Sequence, residues 1–241
     1  FATGSKMHSI GFKECLRKAA DAIQWKTPPA PSQNPKVKVG KGLSVTIKST
    51  ATPTTSSAYM KLNDDGTANV VASAVDMGQG SNTVMGQIAA ETLGIRYEDV
   101  IVTQQDTDYT PYDQMTNSSR STFHVGGAVQ KASLAIREHV VAIAAEQLEA
   151  APEELRTGDG KIWVEGSPDR SLTFCEVVQG YFRMNGGDIL GTGLYKVEGG
   201  KLNFDTGQAE GELTAVFWFV GAGAAEVEVD TETGQIKVRK L

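Results

Sequence analysis

Cysteine is almost missing from this chain: Cys15 and Cys175 are the two present. Without CxxC spacing they exclude a disulfide scaffold and are too few to hold an iron–sulfur cluster. Free thiols of this kind point to a reducing, cytoplasmic compartment. Histidine is nearly as scarce. His8, His124 and His139 share no metal-ligand spacing with each other or with the cysteines, so each is expected at the surface or as a cap. No basic run offsets the formal net charge of −6 over 241 residues, which argues against a nucleic-acid surface. No apolar run approaches the ~20 residues that span a bilayer. There is no GxxxxGK[ST] phosphate loop, and no Ser-His-Asp arrangement is visible. The start, Phe1 to Lys6, has neither an apolar signal core nor an initiating methionine. The end, Lys237 to Leu241, stops inside what reads as a strand, so a piece of a longer protein is expected.

What is present alternates between helical and strand periodicity. Residues 9–25 predict a helix capped by Ser9, with Ile10, Leu16, Ala19, Ala20 and Ile23 as its apolar stripe. Four prolines within 27–36 exclude helix or central strand and read as a linker. Residues 37–50 suit a strand. The segments 58–62 and 67–72 flank Asn63-Asp64-Asp65-Gly66, a hairpin signature. A helix is expected over 81–94, ended by Gly94, and a short strand at Val100-Ile101-Val102. A polar loop runs from Gln104 to Thr116. The longest helix, 122–148, carries Val125, Val129, Ala132, Ile136, Val140 and Ile143 as a core stripe. A helical turn near 151–155, a strand over 161–164 and a helix from Phe174 to Met184 follow. The glycine-rich stretch 185–212 has no clear periodicity, and 225–230 with 236–238 reads as a closing hairpin. Mixed helices and hairpins without a βαβ rhythm give an α+β class. The expected organisation is an N-terminal helical segment (1–26), a linker (27–36) and one main domain (37–241).

Two polar clusters stand out. Asp76-Met77-Gly78-Gln79-Gly80-Ser81 and Asn117-Ser118-Ser119-Arg120-Ser121-Thr122 each precede a predicted helix. A helix start carries unpaired N–H groups and partial positive charge. Glycine admits a ligand close to the backbone. Two such starts make a cradle for an anionic ligand, with Gln79 offering an amide that donates and accepts. The plainer alternatives are a strand-to-helix turn for the glycines and N-capping by a single Ser or Thr for the second cluster. Gly221 to Glu226 imitates a dinucleotide fingerprint but runs on as an alternating strand, so a Rossmann reading is rejected. Asp106 and Asp108 read as a solvated loop, and Trp218 between Phe217 and Phe219 as core.

Val75 to Gly80 with Gln87 to Ile95, then Asp106 to Asp113, Ser118 to Thr122, Phe217-Trp218 and Ala224 to Asp230 with Thr233-Gly234 follow one another in order. Together with Gly11 to Leu16 they resemble the molybdenum hydroxylases, the xanthine dehydrogenase and aldehyde oxidase family. The resemblance implies a molybdopterin-binding domain and a molybdenum–molybdopterin cofactor, in bacteria often as the cytosine dinucleotide. It implies that Met77, Gly78, Gln79 and Gly80 contact that cofactor near its pterin, and that Ser118, Ser119, Arg120 and Ser121 contact its phosphate and pterin portion. It also implies iron–sulfur and FAD centres on other domains or subunits, which are then the partners, and an aromatic heterocycle or aldehyde as the small-molecule substrate. The loop Lys48 to Ser57 is expected to face that substrate. The family's general-base glutamate lies beyond Leu241, and its Phe-Gly-Gly segment and a cofactor-binding arginine lie before Phe1. The resemblance therefore implies that the isolated chain is inactive, although it belongs to an oxidoreductase. The alternatives are a non-catalytic fragment that folds but binds no cofactor by itself, and a generic phosphate-ligand domain.

Overall fold

Strict alternation along a nine-residue strand, β2 (Thr54–Leu62), organises the larger part of the chain. Thr54, Ser56, Ala58, Met60 and Leu62 are all buried and the positions between them are not, as expected of a strand with one covered face. The computed structural model describes residues 3–50, 54–184, 186–211 and 214–241. It divides the chain into two compact units, residues 1–50 with 199–241, and residues 51–198. The boundary drawn from the prolines, after residue 36, therefore falls inside the first unit.

In the second unit, β2 forms the expected antiparallel hairpin with β3 (Ala68–Ala72) across the Asn63–Gly66 turn. The sheet order is β4-β3-β2-β8, with β4 (Val100–Val102) parallel to β3 and β8 (Ile189–Val197) antiparallel to β2. Helix α3 (Gly126–Leu148) lies across β2 and β8, and α2 (Ser81–Leu93) packs against α3. The predicted stripe is the buried face of α3: Val129, Ala132, Ile136 and Val140 are wholly enclosed. Each large aliphatic so enclosed contributes about 1.5–3 kcal/mol. A second antiparallel sheet, β5-β6-β7 (Leu155–Gly158, Lys161–Val164, Ser167–Thr173), and helix α4 (Phe174–Arg183) complete the unit. Thr173 and Glu176 form a capping box on α4.

In the first unit, α1 (Phe12–Ala22) packs on β11 (Trp218–Asp230). The sheet is β1-β11-β12, in which β1 (Val37–Ser49) pairs with β11 along its whole length and β12 is Ile236–Lys240. Short strands β9 (Lys201–Leu202) and β10 (Ala209–Glu210) pair separately. The α+β class holds.

Several local expectations need correction. The first helix starts at Phe12 after Gly11, and Ser9 does not cap it. The glycine-rich stretch without clear periodicity contains strand β8, where glycine serves packing rather than looseness. Gly191 and Gly193 let α3 approach the sheet, since a Cβ on Gly193 would stand 1.9 Å from the Ala128 carbonyl oxygen. Phe217 and Trp218 are only half-buried and Phe219 is exposed, so this aromatic run is not core. His124 is fully buried rather than superficial. Gly221 to Glu226 lies within strand β11, as the rejection of a Rossmann turn requires. Of the loop Lys48 to Ser57, residues 51–53 lie outside the described residues. The rest is mostly strand rather than loop: Lys48 and Ser49 end β1 and Thr54 to Ser57 open β2, where Thr54 and Ser56 are buried.

Candidate functional site

The loop ahead of α2 is held by its own side chains. The Asp76 carboxylate accepts from the backbone N–H groups of Gly78 (2.9 Å), Gly80 (3.3 Å) and Asn82 (3.2 Å). Those bonds, Gly78 first and Asn82 next, hold its carboxyl below the usual carboxylate range. The Gln79 amide is equally committed. Its Oε1 accepts from the Met77 N–H at 2.6 Å, and its Nε2 donates to the Val75 carbonyl at 2.8 Å and to Ser81 Oγ at 3.2 Å. Gly78 and Gly80 sit at φ 103° and 78° with open space where a Cβ would go, so backbone conformation alone calls for glycine there. This corrects one expectation. The α2 start is not a fully open anion cradle, because Asp76 occupies the N–H groups of Gly78, Gly80 and Asn82.

The second cluster is different. Ser118 and Ser119 occupy consecutive left-handed positions, φ 48° and 57°, a conformation that non-glycine residues adopt rarely. A single π turn, Ser121–Val125, then leads into α3. Such turns recur at functional sites. Among the described residues, no hydrogen bond engages the hydroxyls of Ser118, Ser119, Ser121 or Thr122, or the Asn117 amide. Thr116 Oγ1 accepts the Val75 N–H at 2.8 Å and ties this wall to the first.

Arg120 turns inward beneath that wall. Its side chain and that of Asp113 are 0 % and 2 % exposed. Nη1 donates to Asp113 Oδ2 and, at 2.8 Å, to the Met115 carbonyl. Nη2 donates to Thr54 Oγ1 (2.9 Å), the Thr55 carbonyl (3.2 Å) and Ser56 Oγ (2.8 Å). Ser56 Oγ in turn donates to Asp113 Oδ1 at 2.6 Å. These partners leave little trace in the sequence. The available signal was Thr54 and Ser56, polar residues on the inward period of an otherwise apolar strand. His124 lies close by, with the rings of Phe123 and Tyr195 edge-on to it and neither ring nitrogen hydrogen-bonded. Burial, and secondarily the positive charge of Arg120, push its imidazole pKa down.

Met77, Gln79 and residues 116–122 line one open cleft of about 340 Å³. The two clusters singled out in the sequence therefore share a cavity, with Met77, Gln79, Ser118, Ser119, Arg120 and Ser121 on its walls. Gly78 and Gly80 shape the loop without lining the cleft. The lining carries hydroxyls and amides but no carboxylate, imidazole or thiol. That set binds by hydrogen bonding and has no group poised to transfer a proton at neutral pH. Among the described residues no three His, Cys, Asp or Glu side chains gather as a metal-ligand set. Asp106 and Asp108 are not a catalytic pair: the Asp106 carboxylate accepts the Asp108 N–H within its own exposed turn.

The sequence profile of the molybdopterin cofactor-binding domain matches residues 16–241. The xanthine dehydrogenase molybdenum-binding subunit of Escherichia coli O157:H7 is 33% identical over 177 residues, which cover 70% of this chain and 24% of that protein. Quinoline 2-oxidoreductase from Pseudomonas putida 86 superposes with a TM-score of 0.65 at 26% identity, covering 94% of this chain and 28% of that one. A Cu,Mo-CO dehydrogenase chain shares the fold, with a TM-score of 0.72 at 21% identity over 98% of this chain and 31% of its own. The chain spans about a quarter of the length of the curated relatives it matches.

Proposed function

The chain belongs to the molybdopterin cofactor-binding domain family, and from that premise we propose that its 116–122 wall holds the anionic part of a molybdenum–molybdopterin cofactor in an oxidoreductase. The observation that carries this reading is the cleft itself. Four unengaged hydroxyls and a left-handed turn face the Met77–Gln79 loop across it. Hydroxyls and backbone N–H groups in that arrangement are the donors a phosphate tail requires. When bound, the cofactor supplies the two-electron redox chemistry, and the protein supplies binding and orientation. Ser118, Ser119 and Ser121 donate to the anion, and Asn117 and Thr122 flank it. Met77 and Gln79 close the opposite side, where the Asp76 carboxylate favours a neutral ligand edge over a charged one. The larger enzyme would oxidise an aromatic heterocycle or aldehyde, with the cofactor as the cytosine dinucleotide and with iron–sulfur and FAD centres on other domains or subunits.

A second reading rests on the self-satisfied α2 loop. With the Asp76 and Gln79 side chains both occupied, only the 116–122 wall offers free side-chain donors, and a fragment with one such wall folds without retaining the cofactor. Pterin and molybdenum content separates the two. The intact subunit carrying this chain is purified with and without Ser118→Val, Ser119→Val and Ser121→Val together. Loss of pterin at unchanged thermal stability supports the serine wall, whereas full retention removes it from the site. Pterin in the intact subunit but none on the chain alone establishes the second reading for the isolated fragment.

A further inference from the structure

The buried pair beneath the serine wall does a different job from the wall itself. We infer that Arg120 and Asp113 are positioning residues that hold Ser118 and Ser119 in their left-handed turn, and that Arg120 is not itself an anion ligand. The inference rests on the reading of the serine wall as an anion site. Consecutive left-handed serines are unfavourable and persist only where the surroundings over-determine them. The structure supplies that restraint from both sides. Upstream, Thr116 is fastened to Val75. Downstream, the Arg120 N–H closes on the Asn117 carbonyl at 3.0 Å and the His124 N–H on the Arg120 carbonyl at 2.7 Å. The guanidinium then anchors the turn to β2 through Thr54, Thr55 and Ser56, and to the incoming loop through Asp113 and Met115. Five bonds to the chain's own acceptors leave Nη1 and Nη2 none to spare, and Nε is buried out of reach of the cleft, without a hydrogen-bond partner among the described residues.

The two roles predict opposite signs at Asp113. If Arg120 attracts the anion by charge, removing the neighbouring carboxylate frees the guanidinium and tightens binding. If the pair braces the turn, the same change loosens it. Arg120→Lys separates them again, because lysine keeps the charge and loses the planar fork.

The experiment uses the 241-residue chain with inorganic phosphate as the probe. Backbone amide signals of Ser118 and Ser119 are followed by NMR, first without phosphate and then through a titration. Val129 and Ile162 report on the core. For Asp113→Asn and Arg120→Lys, the expected results are ligand-free Ser118 and Ser119 signals displaced toward random-coil positions, core signals in place, and phosphate binding weakened on the order of tenfold, the scale of a lost charge-assisted bond. Should either variant not fold, Ser56→Ala, which removes only the hydroxyl shared by the pair, gives the same displacement with about threefold weakening. Unmoved serine signals, or tighter phosphate binding by Asp113→Asn, overturn the brace. A wild-type chain whose loop ignores phosphate overturns the anion reading instead, while the ligand-free signals still decide the brace.

Discussion

Replacing Gly193 by alanine tests the close contact between β8 and α3, the helix that follows the serine wall in the chain. An ideal Cβ at this position would lie 1.9 Å from the Ala128 carbonyl oxygen and 2.7 Å from the Ala132 nitrogen. Carbon–oxygen contacts are comfortable at about 3.3–3.6 Å, so α3 has to retreat by roughly 1.5 Å or the strand has to buckle. The obstructing atoms are backbone, and no side-chain rotation relieves them. Overpacking costs about 1–3 kcal/mol, and an obstruction by backbone belongs at the upper end. The reduced freedom of the unfolded chain returns about 0.4–1 kcal/mol. The net loss is about 2–3 kcal/mol, which for a chain of this size lowers Tm by about 5–10 °C. Calorimetry against Gly187→Ala is the assay, because a Cβ at Gly187 meets nothing within 4 Å. A Tm for Gly193→Ala matching that control would refute the claim that glycine serves close approach here. The effect reaches the site as well. Ala128 lies just beyond the π turn Ser121–Val125, so a displaced α3 carries the serine wall with it and pterin retention falls along with stability.

Three further outcomes follow from the same geometry. Gln79→Ala removes the three bonds that fold the 75–81 loop on itself; Tm moves by less than about 2 °C at this exposed site while the Met77 amide loses hydrogen-exchange protection, and unchanged protection would show that Gln79 does not hold the loop. His124 is buried with its imidazole pKa pushed down, so the unfolded state binds the proton first. Stability is then flat above the ordinary histidine pKa of about 6.5 and declines as pH falls below it; urea midpoints across that range check this, and His124→Phe should flatten the decline. Asp76 has the carboxylate case: its pKa is lowered in the fold by the N–H groups of Gly78 and Asn82, so its contribution is complete above about pH 4 and is lost on acidification through its folded value. Asp76→Asn should remove that acid dependence, and an identical acid limb in the variant would show that the carboxylate does not cap α2.

Elements that bury a regular face were readable from sequence. The stripe Val125 to Ile143 gave α3, alternation through Ala58, Met60 and Leu62 gave β2, and Asn63-Asp64-Asp65-Gly66 gave the turn between β2 and β3. Elements whose residues serve a neighbour were not. In β8, glycine answers the proximity of α3, a tertiary demand with no trace in local propensity. His124 falls in the π turn, where the extra residue shifts the helical phase and carries a nominally polar position into the interior. At the site, residue types and proximity were legible, while the direction in which polar groups spend their bonds was not. Gln79 and Arg120 read from sequence as groups offered to a ligand, whereas the Gln79 amide and both terminal nitrogens of Arg120 bond to the chain itself.

That inward spending fixes how the cleft can recognise a charged ligand. A helix start contributes to anion binding only through N–H groups left unpaired, and at α2 the Asp76 carboxylate has taken that of Asn82 together with those of Gly78 and Gly80 just before the helix. It also places a negative charge beside the loop that forms one wall. The opposite wall has its positive charge buried and neutralised by Asp113, yet keeps its hydroxyls free and its turn left-handed. On the proposed reading, anion selectivity in this cleft would therefore rest on neutral, pre-oriented donors rather than on net charge. Binding governed that way is weakly screened by salt, whereas attraction to an exposed guanidinium would fall steeply as ionic strength rises.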